Sequence, residues 1–222
     1  MELIYQDNRI CVCLKPAGVV SVDEPGGVPD LVRDCLGDPK ACVRTVHRLD
    51  QVVGGVMVLA RSRLADQILS KQVQDRTFHK EYLAVVDGIP AETEGTFRDL
   101  LLRDKAQRKT LLVHEPGKDA KEAILNYQVL QTVGNESLVK VELITGRTHQ
   151  IRAQFSGHGM PLVGDKKYGA QPCDMEGIAL WSHKVAFTHP QTEEPMTFSA
   201  LPPHTEPWLK FDRLWSESED KR

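Results

Sequence analysis

Short apolar runs set off by turn formers open the chain. Residues 3–5 and 9–14 flank Asp7-Asn8, a spacing that predicts a β-hairpin. Its second strand ends at Lys15-Pro16-Ala17-Gly18, since proline cannot donate to a ladder and glycine admits positive φ. Residues 19–22 read as a further short strand, 23–27 as a loop, and Asp30 as the cap of a helix over 31–36 stopped at Gly37. The run 54–60 is almost continuously apolar and β-branched, the pattern of a central strand buried on both faces. Ser62 is expected to cap a helix whose apolar positions Leu64, Ile68, Leu69 and Val73 recur at helical spacing. Strand character returns over 78–86, which carries Tyr82 and ends at Asp87-Gly88.

The middle of the chain predicts strands at 96–102, 110–113, 123–132 and 137–144, punctuated by Gly117, Gly134 and Asn135. A turn at 145 then leads into a helix striped by Ile151 and Phe155 and ended at 157–161. A tight loop follows at 164–169, then a strand pair at 178–188 and 194–198 about the turn 189–192, and a helical segment at 208–215. Strands outnumber helices and no regular βαβ alternation appears. The expected fold class is therefore α+β, a mixed, mainly antiparallel central sheet flanked by a few helices. One catalytic domain is expected over 1–216, with a polar, frayed tail at 217–222.

Composition changes this picture little. The chain has 222 residues, 41% hydrophobic and 27% charged, with no apolar run near the roughly 20 residues a membrane span needs. Its first residues carry neither the cationic nor the apolar region of a secretory signal, which points to the cytoplasm and away from a membrane partner. Five cysteines without a C-x-x-C pair argue against a disulfide framework or a zinc site, and Cys11 and Cys13 are expected as core thiols.

Charge matters more by its distribution than by its sum. The formal net charge of −3 would not by itself indicate a polyanionic partner. Yet from Lys40 to Lys80 eight Lys and Arg residues face three acids, and Arg103, Lys105, Arg108 and Lys109 form a second basic stretch. A basic face on a mildly acidic body is compatible with phosphate binding.

Several chemistries are excluded by their missing motifs. Neither the G-x-G-x-x-G nor the P-loop pattern occurs, and there is no G-x-S-x-G elbow. His149, His158, His183 and His189 offer no i, i+4 pair with a third ligand at suitable spacing, so no metal is expected. Carboxylate chemistry remains. Asp50 stands between His47-Arg48 and Gly54-Gly55, where it would be held rigidly at a strand entrance with cations nearby. Taken alone, an ion-paired structural role fits that pattern better; Tyr82 on an adjacent strand, Arg152 on a helix begun by glycine, and the surrounding cations favour a catalytic one.

These residues also carry a resemblance. His47-Arg48-Leu49-Asp50 with Gly55, Lys80-x-Tyr82-x-Ala84-x-Val86-x-Gly88 and the run Gly146 to Arg152 resemble, in order, the signature motifs of the RluA-type pseudouridine synthases. Lys15-Pro16-x-Gly18, Gly164-Asp165-x-x-Tyr168-Gly169 and His189-Pro190 resemble the family's flanking landmarks, so the likeness spans about residues 3–203. The resemblance implies an RNA isomerase, working on rRNA or tRNA as a monomer and without metal or cofactor. Such an enzyme detaches uracil from C1′, turns it and rejoins it through C5 after flipping it out of the RNA.

By the same resemblance Asp50 is the essential carboxylate, acting either as nucleophile at C1′ or as base at C2′; Tyr82 stacks on the uracil, and Arg152 pairs with and aims the aspartate. His47 and Arg48 would contact phosphate or brace the loop, Lys15 and Arg147 would contact the RNA backbone, and Arg103, Lys105 and Arg108 would clamp it. Two departures stand out. Val53-Gly54-Gly55 replaces the family's usual Thr-Ser-Gly, and a short form without the S4 domain of many relatives is expected. An idle RNA-binding domain that retains the fold is the alternative reading.

Overall fold

In the computed structural model, which describes residues 1–173, 175 and 177–219, the N-terminal hairpin forms as β1 (Glu2–Gln6) and β2 (Ile10–Lys15). Asp7 makes the turn by accepting the N–H groups of Arg9 and Ile10 at 2.7 and 2.8 Å. The following elements are α1 (Val28–Leu36), β3 (Arg44–Thr45), β4 (Gly54–Ala60), α2 (Arg63–Gln74), β5 (His79–Asp87) and β6 (Glu94–Asp104). After these come β7 (Lys109–Val113), β8 (Ala120–Val133), β9 (Glu136–Leu143), α3 (Gln150–Gly157), β10 (Leu180–Thr188), β11 (Pro195–Ser199) and α4 (Asp212–Glu219). No helix among the described residues is long and apolar enough to cross a membrane.

The chain divides into two compact units, Met1–Glu81 with Trp181–Pro202 and Tyr82–Leu180 with Pro203–Arg222, each closed by a return of the chain. In the first, the strand order is β1-β2-β4-β10, with β11 on β10 and β3 on β4. All pairs are antiparallel except β4 with β10, which is parallel at Gly54/Trp181 and Ser182/Gly55. β4 is buried along its whole length, as its unbroken apolar run requires. Its residues Val56 and Val58 join Ile10, Val12, Phe78, Val185 and Phe187 in one core, closed by Ala65 and Leu69 of α2. Ser62 caps α2 as expected, its hydroxyl accepting the Ala65 N–H at 3.1 Å. The buried stripe is turned from the expected one, however, because Leu64 is 59% exposed and Ala65 takes the inward position.

The second unit orders its strands β5-β9-β8-β6-β7, and the β6/β7, β6/β8 and β8/β9 pairs are antiparallel. All four strands expected between 96 and 144 are present, each within a few residues of its expected bounds. The α+β class with a mixed, mainly antiparallel sheet is thus the observed one.

Two local expectations fail. Residues 19–22 form no strand, because their polar groups are spent on the neighbouring loop: the Val20 carbonyl accepts the Val28 N–H, and the Ser21 carbonyl accepts the Thr45 hydroxyl. Asp30 does not cap α1, which starts earlier with Pro29 in its first turn; the carboxylate accepts the Gly26 N–H at 2.8 Å instead. The segment 208–215 is helical as expected, though in two pieces: a 3-10 turn, Trp208–Lys210, and, after the fully buried Phe211, the start of α4. The tail expected at 217–222 therefore begins inside α4, and 220–222 lie outside the described residues.

Candidate active site

The backbone on both sides of Asp50 is tied down. Before it, Leu49 N–H donates to the Ser21 hydroxyl at 3.1 Å, and that hydroxyl donates back to the Leu49 carbonyl at 2.7 Å. After it, the Val53 N–H closes a turn onto the Asp50 carbonyl at 3.0 Å, and Gly18 N–H donates to the Gln51 carbonyl at 2.8 Å. Asp50 itself is half-buried, so its carboxylate sits on an immobilised backbone without being sealed from a reactant.

Lys15 completes the mount, and this corrects its expected role. Its side chain is fully buried, and the ammonium donates to the carbonyls of Val53 at 2.7 Å, Pro16 at 3.0 Å and Gln51 at 3.1 Å. A cation committed to three carbonyls has no surface to offer a phosphate; it clamps the loop after Asp50 instead. Burial pushes its pKa down to about 8, with the Asp50 charge pulling the other way.

His47 is likewise interior. Its Nε2 accepts the Val58 N–H of β4 at 3.0 Å, so the ring is neutral with its proton on Nδ1, an atom without a partner among the described residues. Burial, with a smaller push from the Lys80 charge, depresses its pKa to about 3. Of its two expected roles, a phosphate contact needs a cation at the surface; a buried neutral ring braces the loop. Arg48, by contrast, is exposed. Cys11 and Cys13 are fully buried core thiols as expected, and burial raises both, Cys11 to about 12.

The departure at Gly54 has a steric cause. A Cβ on Gly54 would come within 2.6 Å of Cζ3 of the Trp181 indole, and one on Gly55, at φ +121°, within 2.3 Å of the Ser182 carbonyl. β4 and β10 approach so closely here that only hydrogen fits between them.

In the second unit, α3 is buried around its whole girth from Gln150 to Phe155, so each of its polar side chains needs a partner. Gln150 Oε1 accepts from the Thr145 hydroxyl and from Arg147 N–H at 2.8 and 2.9 Å, while its amide donates to the Ile124 carbonyl. Arg152 donates Nε and Nη2 to the two oxygens of Asp165 at 2.7 and 2.9 Å, both side chains being almost wholly buried. Its guanidinium also lies 4.9 Å from the centre of the Tyr168 ring. Tyr82 is 6% exposed on β5. Arg147 is exposed, its Nε donating to the Glu122 carbonyl at 2.9 Å. Lys105 and Arg108 are exposed at the tip of the β6–β7 hairpin, with Arg103 half-buried at its base.

Lys15, His47, Arg48 and Asp50 thus belong to the first unit, and Tyr82, Arg152, Arg147 and the basic hairpin to the second. Sequence reasoning gave no role to Ser21, Asp165 or Tyr168. The last two had a signal, an acid and an aromatic three residues apart in a turn bounded by Gly164 and Gly169; Ser21 had none.

Comparison with known proteins gives a consistent result. A family model described as RNA pseudouridylate synthase matches residues 9–157. The chain is 33% identical over 207 residues to the dual-specificity RNA pseudouridine synthase RluA of Haemophilus influenzae, covering 90% of this chain and 92% of that one. It is 34% identical over 210 residues to the uncharacterized RNA pseudouridine synthase YlyB of Bacillus subtilis, covering 90% and 68%. Among solved structures, human RNA pseudouridylate synthase domain containing 1 superposes with a TM-score of 0.79 at 21% identity, over 92% of this chain and 84% of that one, a likeness of fold.

Proposed function

The chain belongs to the RNA pseudouridylate synthase family, and from that premise we propose that it isomerises specific uridines of rRNA or tRNA to pseudouridine, as a monomer in the cytoplasm, with Asp50 as the catalytic carboxylate. The target base is flipped out of the RNA, at a cost of a few kcal/mol that is least in loops and bulges. Asp50 then acts at C1′ as nucleophile or at C2′ as base, where a held carboxylate stabilises charge developing on the sugar. Tyr82 lies against the uracil, and Arg152 aims the carboxylate. Arg48, Arg147, Arg103, Lys105 and Arg108 engage the RNA backbone, while His47 and Lys15 keep the Asp50 loop in place.

The observation that carries this reading is the double tether of the Asp50 backbone, by Ser21 on one side and by Lys15 and Gly18 on the other. Immobilising a half-exposed carboxylate this thoroughly serves orientation, which is worth several kcal/mol to a reaction and nothing to a surface ion pair. It also weakens the rival reading of an idle RNA-binding domain, since Val53-Gly54 leaves the tether intact. Tritium release from 5-tritiated uridine in rRNA and tRNA transcripts, with carbodiimide mapping of the product, tests both. The wild-type chain should form pseudouridine, and Asp50→Asn should bind the same RNA while forming none. Measurable turnover by Asp50→Asn would remove Asp50 from its role.

A further inference from the structure

Tyr168 joins two parts of the second unit that the proposed reaction uses separately. Its buried hydroxyl accepts the Thr110 N–H at 2.8 Å, at the point where β7 leaves the basic hairpin, and shares a 2.8 Å hydrogen bond with His149 Nδ1, directly before α3. Its ring centre lies 4.9 Å from the Arg152 guanidinium and 5.0 Å from the Lys109 ammonium. The backbone at this corner is equally committed: the Ser156 hydroxyl of α3 donates to the Tyr168 carbonyl at 2.6 Å, and the Thr110 hydroxyl donates to the Thr148 carbonyl at 2.8 Å. His149 meanwhile holds a left-handed φ of 54°, a conformation that needs such support in a residue with a side chain.

One residue is thus bonded to the root of the hairpin that presents Arg103, Lys105 and Arg108, and packed on the arginine proposed to aim the carboxylate. We propose that Tyr168 is a positioning residue that couples the 103–109 hairpin to Arg152, so that RNA backbone held by the hairpin sets the alignment of the guanidinium. Any displacement of the hairpin root moves Thr110, and through its N–H and the Tyr168 hydroxyl it moves the ring on which Arg152 rests. The inference rests on the proposed pseudouridine synthase activity and on the RNA-binding role of the hairpin.

A double-mutant cycle on the full chain tests it. Tyr168→Phe removes the hydroxyl and keeps the ring; the partner change neutralises the hairpin as Arg103→Gln, Lys105→Gln and Arg108→Gln together. Single-turnover rates and RNA affinity are measured for each corner of the cycle, with a thermal melt to count folded protein. Tyr168→Phe alone should lower the rate per folded molecule about tenfold, and in the neutralised hairpin it should lower it hardly at all, because the coupling then has no input.

Should Tyr168→Phe fail to fold, Thr110→Pro, which removes the N–H that the Tyr168 hydroxyl accepts, takes its place in the same cycle with the same expectation. Additive losses in an active wild-type background would overturn the coupling and leave the proposed activity standing, as would a fall in melting temperature with unchanged rate. A wild-type chain that forms no pseudouridine on any rRNA or tRNA would instead overturn the activity, and the coupling with it.

Discussion

One buried ring should make this protein sensitive to mild acid. His47 keeps its neutral form down to about pH 3 in the folded state, against 6.5 for a histidine in water, because its ring is buried and the Lys80 charge opposes a second cation nearby. Above pH 7 the ring is neutral whether the chain is folded or not, so it contributes no pH dependence. As pH falls below 6.5 the unfolded chain takes up a proton that the folded one refuses, and stability falls. Linkage between those two values gives a loss of about 2 kcal/mol between pH 7 and pH 5, and about 4 kcal/mol by pH 3.5.

Urea unfolding followed by circular dichroism at pH 7, 6 and 5 reads this directly when wild type is compared with His47→Gln, whose amide oxygen can accept the Val58 N–H but does not titrate. The variant loses the ring contact with Phe78, centroids 5.2 Å apart, and should be less stable at every pH. Its stability should nevertheless decline less steeply than wild type, by about 2 kcal/mol over the interval. Equal slopes for the two proteins would refute the assignment of the buried neutral ring.

Other perturbations have equally definite outcomes. Gly54→Ser forces a Cβ against the Trp181 indole and should cost about 1–3 kcal/mol in urea unfolding, a loss that Trp181→Ala should partly relieve in the double variant; no recovery would refute the steric account. Arg152→Met leaves the Asp165 carboxylate buried without its bidentate partner and should cost about 3–5 kcal/mol. Pairing it with Asp165→Leu should regain much of that stability without regaining pseudouridine formation, and a single variant as stable as wild type would contradict the buried pair. Replacing Arg103, Lys105 and Arg108 by glutamine should reduce the slope of log affinity against log salt by about 2. An unchanged slope in a filter-binding titration would exclude the hairpin from the RNA contact.

What the sequence made legible was what local periodicity and capping control. The apolar run of β4, the Ser62 cap and the alternating strands between 96 and 144 appear where their patterns put them, because each is set by neighbours in the chain. The misread residues are those whose partners are remote in sequence. Lys15 is placed on the RNA backbone by the resemblance alone; three carbonyls at positions 16, 51 and 53 draw it inside. Val19 to Val22 had strand composition, but Thr45 and Val28 claim the Ser21 and Val20 carbonyls that a ladder would have used. Leu64 fitted the helical stripe as well as Ala65 does, and only the position of the core decides between them. In the candidate site, Asp50, Tyr82 and Arg152 stood out with a role by motif, whereas Asp165 and Tyr168 stood out only as a landmark and acquired a role once Arg152 was found inside the protein and in need of a counter-charge.

The close approach of Trp181 to Gly54 restricts the order in which this loop can change over generations. With an indole at 181, a serine at 54 has no place for its first carbon, so a sequence carrying serine at that position must lose the side chain before tryptophan can enter the facing strand. Once tryptophan is in, reversion at 54 is barred until 181 shrinks again. The two positions act as a ratchet: homologues with tryptophan at the facing position should carry glycine at 54, while glycine at 54 can occur with smaller residues opposite. A serine transplanted from a relative into this loop should be accepted only together with that relative's residue at 181.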